Sequence, residues 1–78
     1  MKYQYYSDTD RLYIERLAEA GVESYEIEPD IVVDLNRYGE IIGFDVDHAS
    51  QHLKTQTPQK QDVEQLFKFL VEMASIKP

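Results

Sequence analysis

The sequence predicts an α+β fold: a small antiparallel β-sheet of about four strands, arranged as two hairpins, with a C-terminal amphipathic α-helix packed on one face. Three observations carry this. From Asp30 to Ser50, two apolar runs flank the polar stretch Asn36-Arg37-Tyr38-Gly39. Asn suits the first position of a type I turn, and Gly the last, where a left-handed residue re-enters a strand without Cβ strain. From Arg11 to Leu17, Leu12 and Ile14 alternate with Tyr13 and Glu15, the period of a half-solvated strand. Beyond Thr57, apolar residues recur at helical spacing.

In chain order, Lys2 to Tyr6 is short and aromatic, and Ser7-Asp8-Thr9-Asp10 links it to the alternating segment as a first hairpin, because these side chains bond readily to nearby backbone. Ala18 to Glu23 is a connection. Tyr25 and Ile27 share parity with Ile31 and Val33, so Ser24 to Leu35 reads as one strand interrupted at Pro29, as at an edge or bulge. Gly43 marks a bulge or close backbone approach. His48 to Leu53 forms a short turn of helix. Thr57 caps the C-terminal helix and Pro58 takes its first position, where no amide bond is lost. Val63, Leu66, Phe67, Leu70 and Ala74 make one stripe, with Gln61, Glu64, Lys68 and Glu72 turned outward. Burying the four large members stabilises the fold by at most about 6–12 kcal/mol.

A chain of 78 residues reads as one domain: an acidic, β-rich part over 1–53, a connector over 54–58 and the helix over 59–76. A domain of this size buries only roughly 60–65% of its unfolded surface. Alternation fails at Ile31-Val32-Val33 and Ile41-Ile42, where both faces of the sheet want cover. The helix covers one face, and the expected cover for the other is a second protomer, hence a homodimer. There is no cysteine. Met1 to Asp10 lacks the apolar core of a signal peptide, and no apolar run approaches the roughly 20 residues of a membrane span, so a cytoplasmic location is expected.

The formal charge is −7, distributed as −8 over residues 1–53 and +1 over 54–78. No basic residue lies between Leu17 and Asn36, an interval holding Glu19, Glu23, Glu26, Glu28, Asp30 and Asp34. Such a surface repels phosphate and so excludes direct nucleic-acid binding. Its ordinary reading is a solvated acidic face that favours solubility. Its functional reading is a site for a basic protein partner.

Few residues suggest chemistry. His48 and His52 are four apart, the spacing at which two rings on a helix reach one metal, and Asp45 or Asp47 would add a carboxylate. The Glu of the zinc-protease helix motif is missing between them. Asp8 and Asp10 lack the ligand series, Gly and terminal Glu of a calcium loop, and turn formation explains them better. Asp34, Asp45 and Asp47 are ordinary strand carboxylates unless a pocket gathers them. The six tyrosines would suit a base-stacking platform only in a basic groove, so they are expected to pack the sheet or an interface. No cofactor and no catalytic residue is expected.

The stretch Tyr6-Ser7-Asp8-Thr9-Asp10-Arg11-Leu12-Tyr13-Ile14, and the segment Glu28 to Leu53 with Pro29, Val32-Val33-Asp34, Gly39, Ile41-Ile42-Gly43, Asp45 and Ala49-Ser50, resemble domain-of-unknown-function family 2283. Its members are short and mainly bacterial. The resemblance spans most of residues 3–53 and leaves the helix largely outside. Asn36-Arg37-Tyr38-Gly39 departs from the family's more acidic turn, so no charge-based role passes to that tip. The resemblance implies a small antiparallel sheet without known catalytic residues. Members encoded beside small toxin-like domains imply an antitoxin-like role. The expected function is therefore a non-enzymatic, homodimeric protein-binding module that neutralises a small basic partner. The alternatives are an acidic nucleic-acid mimic from a mobile element, using Glu19 to Asp34 as false phosphates, and a small ligand- or metal-binding protein.

Overall fold

A computed structural model describes residues 1–53 and 58–76. The chain runs β1 (Lys2–Tyr6), β2 (Arg11–Glu15), β3 (Glu23–Glu28), β4 (Ile31–Leu35), β5 (Ile41–Val46), a 3-10 turn (Ala49–Gln51) and α1 (Lys60–Ile76). The strands form one sheet in the order β1-β2-β5-β4-β3, with every neighbouring pair antiparallel. The α+β class, the two predicted hairpins and the C-terminal helix are all present. The strand count is five rather than four. Glu28 pairs with Ile31 across Pro29-Asp30, so the expected long strand folds back into a third hairpin. Proline fixes the φ that the second position of a tight turn requires, and it reverses the strand here instead of merely interrupting it.

β5 lies at the centre of the sheet, between β2 and β4. Its inward residues Phe44 and Val46 face Ile14 and Leu12 on one side and Val33 and Ile31 on the other. All six are buried. The cover is α1, whose Val63, Leu66 and Leu70 are buried in the same cluster, together with Ala49 from the 3-10 turn. Phe67 meets Phe44 edge to face, with ring centroids 5.7 Å apart. The helical stripe read from the sequence is thus the second layer of the core.

The helix starts slightly later than expected. The Val63 amide donates to the Gln59 carbonyl at 3.0 Å, which makes Gln59 the cap and Lys60 the first helical residue. Pro58 stands one residue before the cap. Pro58 and Val63 are both buried and occupy the two positions of a hydrophobic staple, which fixes the angle at which the chain enters the helix. Thr57, the expected cap, and the rest of the connector before Pro58 lie outside the described residues.

The failed alternation at Ile41-Ile42 has a local cause. The register between β4 and β5 shifts between Asp34 and Leu35, so Ile42 is an extra residue on β5. On its other side the Ile42 carbonyl accepts from both Arg16 N–H, at 2.7 Å, and Leu17 N–H, at 3.1 Å. This is a β-bulge. Ile41 therefore packs against the core, while Ile42 turns to the outer face beneath the β2–β3 connection, where a Cβ on Gly21 would come within 3.3 Å of it. Ile42 is only 3% exposed. Apart from Val32, the strands' outer face is mostly polar. Arg11 bonds both carboxylate oxygens of Asp45, and Tyr13 reaches toward Asp34. Val32 is half-buried between Asp45 and Glu26. The apolar excess that suggested a second protomer is largely covered by the chain itself.

Gly43 fulfils both roles expected of it. It follows the bulge, and the Tyr13 ring lies directly over it: an added Cβ would fall 2.6 Å from the Tyr13 hydroxyl oxygen and 2.7 Å from the Ile14 carbonyl oxygen. The hydroxyl can swing away, but the carbonyl belongs to the β2 ladder and cannot. Gly43→Ala is therefore expected to destabilise the fold by about 1–3 kcal/mol in urea unfolding, the usual cost of overpacking. Adding Tyr13→Phe should not restore the loss, and a full restoration would show that the hydroxyl alone sets the constraint.

Candidate functional site

Two polar clusters join distant parts of the sheet. In the first, Asp10 has a left-handed backbone with φ 55°. Its carboxylate accepts from the Tyr5 hydroxyl at 2.7 Å, the Ser50 hydroxyl at 2.6 Å and the Ser50 amide at 3.0 Å. The Asp10 carbonyl also accepts from Ala49 N–H at 2.8 Å. A residue read as a turn former thus fastens the β1–β2 turn to the segment after β5. In the second cluster, Asn36 is 3% exposed and has all its side-chain bonds made. Its oxygen accepts from the amides of Tyr38 and Glu40, and its nitrogen donates to Glu19 and Glu40. Gly39, at φ 79°, closes the same turn.

These clusters also show where part of the predicted acidic surface goes. Glu19 is bound to Asn36 at 3.1 Å. Asp34 accepts from Ser24 at 2.7 Å. Burial and the neighbouring Asp34 charge raise the Tyr13 phenol above its ordinary value. Asp30 lies in the β3–β4 turn with His48 Nδ1 at 3.3 Å and His52 Nε2 at 3.7 Å. His48 and His52 do converge, but not on one helix face: His48 is left-handed at φ 53° and the two flank the 3-10 turn. Among the described residues, no group of three or more His, Cys, Asp or Glu is placed to hold a metal ion. Asp45 is occupied by Arg11, and Asp47 N–H donates to the Asp30 carbonyl at 2.8 Å.

Glu23, Glu26 and Glu28 remain together on β3. This strand is the edge of the sheet, and five of its six residues are exposed. Glu23 and Tyr25 point to the side of Leu35 and Val33, whereas Ser24 and Glu26 point to the side of Asp34 and Val32. The Tyr25 hydroxyl donates to Glu23, and this bond raises the Tyr25 phenol above its ordinary value. Tyr25 itself is 50% exposed. The arginines act elsewhere: Arg11 on Asp45, Arg16 on the Ile41 carbonyl, and Arg37 on Tyr38. No arginine neutralises the β3 carboxylates. The predicted acidic interval is thus divided, with three members tied into turns or the outer face and three forming a negative edge.

Sequence reasoning found those glutamates but missed that they lie on a terminal strand of the sheet beside an exposed Tyr25. Charge and a nearby proline are devices that protect edge strands, and they were the available signal. Among the described residues no helix is long and apolar enough to cross a membrane.

The Asp10 cluster has a pH signature. The Ser50 hydroxyl first, then that of Tyr5, then the Ser50 amide and the His48 charge hold the Asp10 carboxyl below its ordinary value, against a smaller opposing effect of burial. A depressed carboxylate contributes stability above its unfolded pKa of about 3.9 and loses it as pH falls through the folded value. Asp10→Asn should therefore melt below the parent at neutral pH, and the gap should narrow as pH drops below about 4. Thermal melts across that range test this, and a constant gap would show that the charge of Asp10 contributes nothing.

The DUF2283 model, described as a protein of unknown function, matches residues 2–50. That span contains all five strands and both polar clusters, and stops short of α1. No curated protein and no solved structure matches the chain. With more than half of its length under the family model, the chain belongs to the DUF2283 family of proteins of unknown function.

Proposed function

We propose that this chain is a non-enzymatic protein-binding module whose negative edge strand β3 receives a small basic polypeptide. The observation that supports it best is the exposure of Glu23, Glu26 and Glu28 on a terminal strand with no arginine against them. Opposite fields speed encounter and select against acidic or nucleic-acid partners. A ribonuclease toxin that acts on RNA needs a basic surface, so an antitoxin-like neutraliser is the specific form of this reading. The homodimer expected from the apolar excess is not part of the proposal, because Ile42 is buried within the chain.

The nucleic-acid mimic has less support. False phosphates need a continuous row of free carboxylates, whereas Glu23 and Glu26 point to opposite faces and Glu19, Asp30 and Asp34 have partners. A metal-binding role has only the two histidines around Asp30 to rest on.

The test is co-expression with a short basic reading frame encoded beside this one. The two chains should co-purify at about 50 mM salt, where exposed charges act over more than 10 Å, and separate as salt rises. Glu26→Lys with Glu28→Lys should abolish capture while leaving circular dichroism unchanged. Capture that survives this double reversal would defeat the acidic-edge mechanism.

A further inference from the structure

We infer that the basic partner docks by strand addition, as an extended segment with Lys or Arg at alternate positions paired to the outer side of β3 over Glu23–Glu26, where no described strand pairs with it. The inference rests on the reading of β3 as the partner site and concerns how that site binds. A terminal strand leaves alternate backbone N–H and C=O groups without ladder partners, and β3 is terminal in this sheet. The register with β4 is regular from Glu23 to Glu26 and shifts between Glu26 and Glu28, so the straight, receptive stretch ends at Glu26.

Side-chain placement selects the occupant. Cross-strand neighbours stand about 5 Å apart, and like charges directly opposite are destabilising. β3 presents Glu23 with Tyr25 on one face and Glu26 with Ser24 on the other. A cation on either face of an incoming strand therefore meets a carboxylate. Tyr25, 50% exposed, offers an aromatic surface to a Lys or Arg stem. A second copy pairing β3 with β3 would bring together two carboxylate-bearing strands with no cation on either. The other edge, β1, has no Asp or Glu in Lys2–Tyr6 and gives a basic strand no carboxylate to pair with.

The probes are a synthetic peptide of alternating Lys and Val, about eight residues long to span a typical strand, and the same peptide N-methylated at every amide. N-methylation keeps the charge and removes the hydrogen-bond donors. Titration at low salt should show the unmodified peptide binding at least about tenfold more tightly, with hydrogen exchange slowed at the amides of Glu23–Glu26 and not in β1. Glu23→Lys with Glu26→Lys, both exposed positions, should lower its affinity by about tenfold or more. Equal affinity for the two peptides would overturn strand addition while leaving the acidic-edge reading intact. Binding by neither peptide would overturn both. Self-association through β3, or protection appearing in β1, would overturn the inference in favour of a different edge pairing.

Discussion

The contact between β5 and α1 is the constraint on which the rest of the structure depends. One amphipathic helix is the only second layer among the described residues, so the sheet must present it with one continuous apolar face. β5 does this from the centre, with Phe44 against Phe67 and Val46 between Leu12 and Ile31. A single helix about 10 Å across cannot shield both margins of a five-stranded sheet. The margins are consequently polar and aromatic, and β3 and β1 are the exposed strands. The exposure of the acidic terminal strand follows from how little helix there is to cover the sheet.

The same economy explains why polar side chains reach so far. With a small core, turns must be fixed by hydrogen bonds as well as by burial. Asp10 ties the first hairpin to Ser50, forty positions later, and Asn36 fastens its own turn to Glu19 in the β2–β3 connection. Several features that carry the family resemblance do this work. Asp10 and the Ala49-Ser50 pair meet in one cluster, and Gly43 lets Tyr13 lie across β5 toward Asp34. The shared pattern is thus a description of how the sheet is held together. The proposed partner-binding role falls instead on β3, where the glutamates make few contacts.

The charge balance shows why composition and structure give different sites. In the sequence, six acidic residues lie between Leu17 and Asn36 with no basic residue among them. In the folded chain, Glu19, Asp30 and Asp34 bond or face groups on other elements, and the exposed charge of Glu23, Glu26 and Glu28 concentrates on one strand. An acidic interval becomes a negative line along a terminal strand, which is the feature the proposed strand addition rests on.

The sequence by itself determined what depends on neighbours along the chain. Asn36 and Gly39 specified the central turn, period-two alternation specified β2, and helical spacing placed Val63, Leu66, Phe67 and Leu70 on one face, because turn conformation and side-chain direction follow local dihedrals. Tertiary structure alone decided strand order, and therefore which strand is an edge. It made Pro29 a reversal, placed the extra residue of the β5 bulge at Ile42 so that this side chain is covered within the chain, and brought Asp10 to Ser50 and His48 to Asp30. Such outcomes rest on pairing between segments far apart in the chain, whose register is chosen by what the whole sheet can bury against one helix. The acidic residues were legible as a group; which of them stay exposed together was settled by which strand became terminal in the sheet.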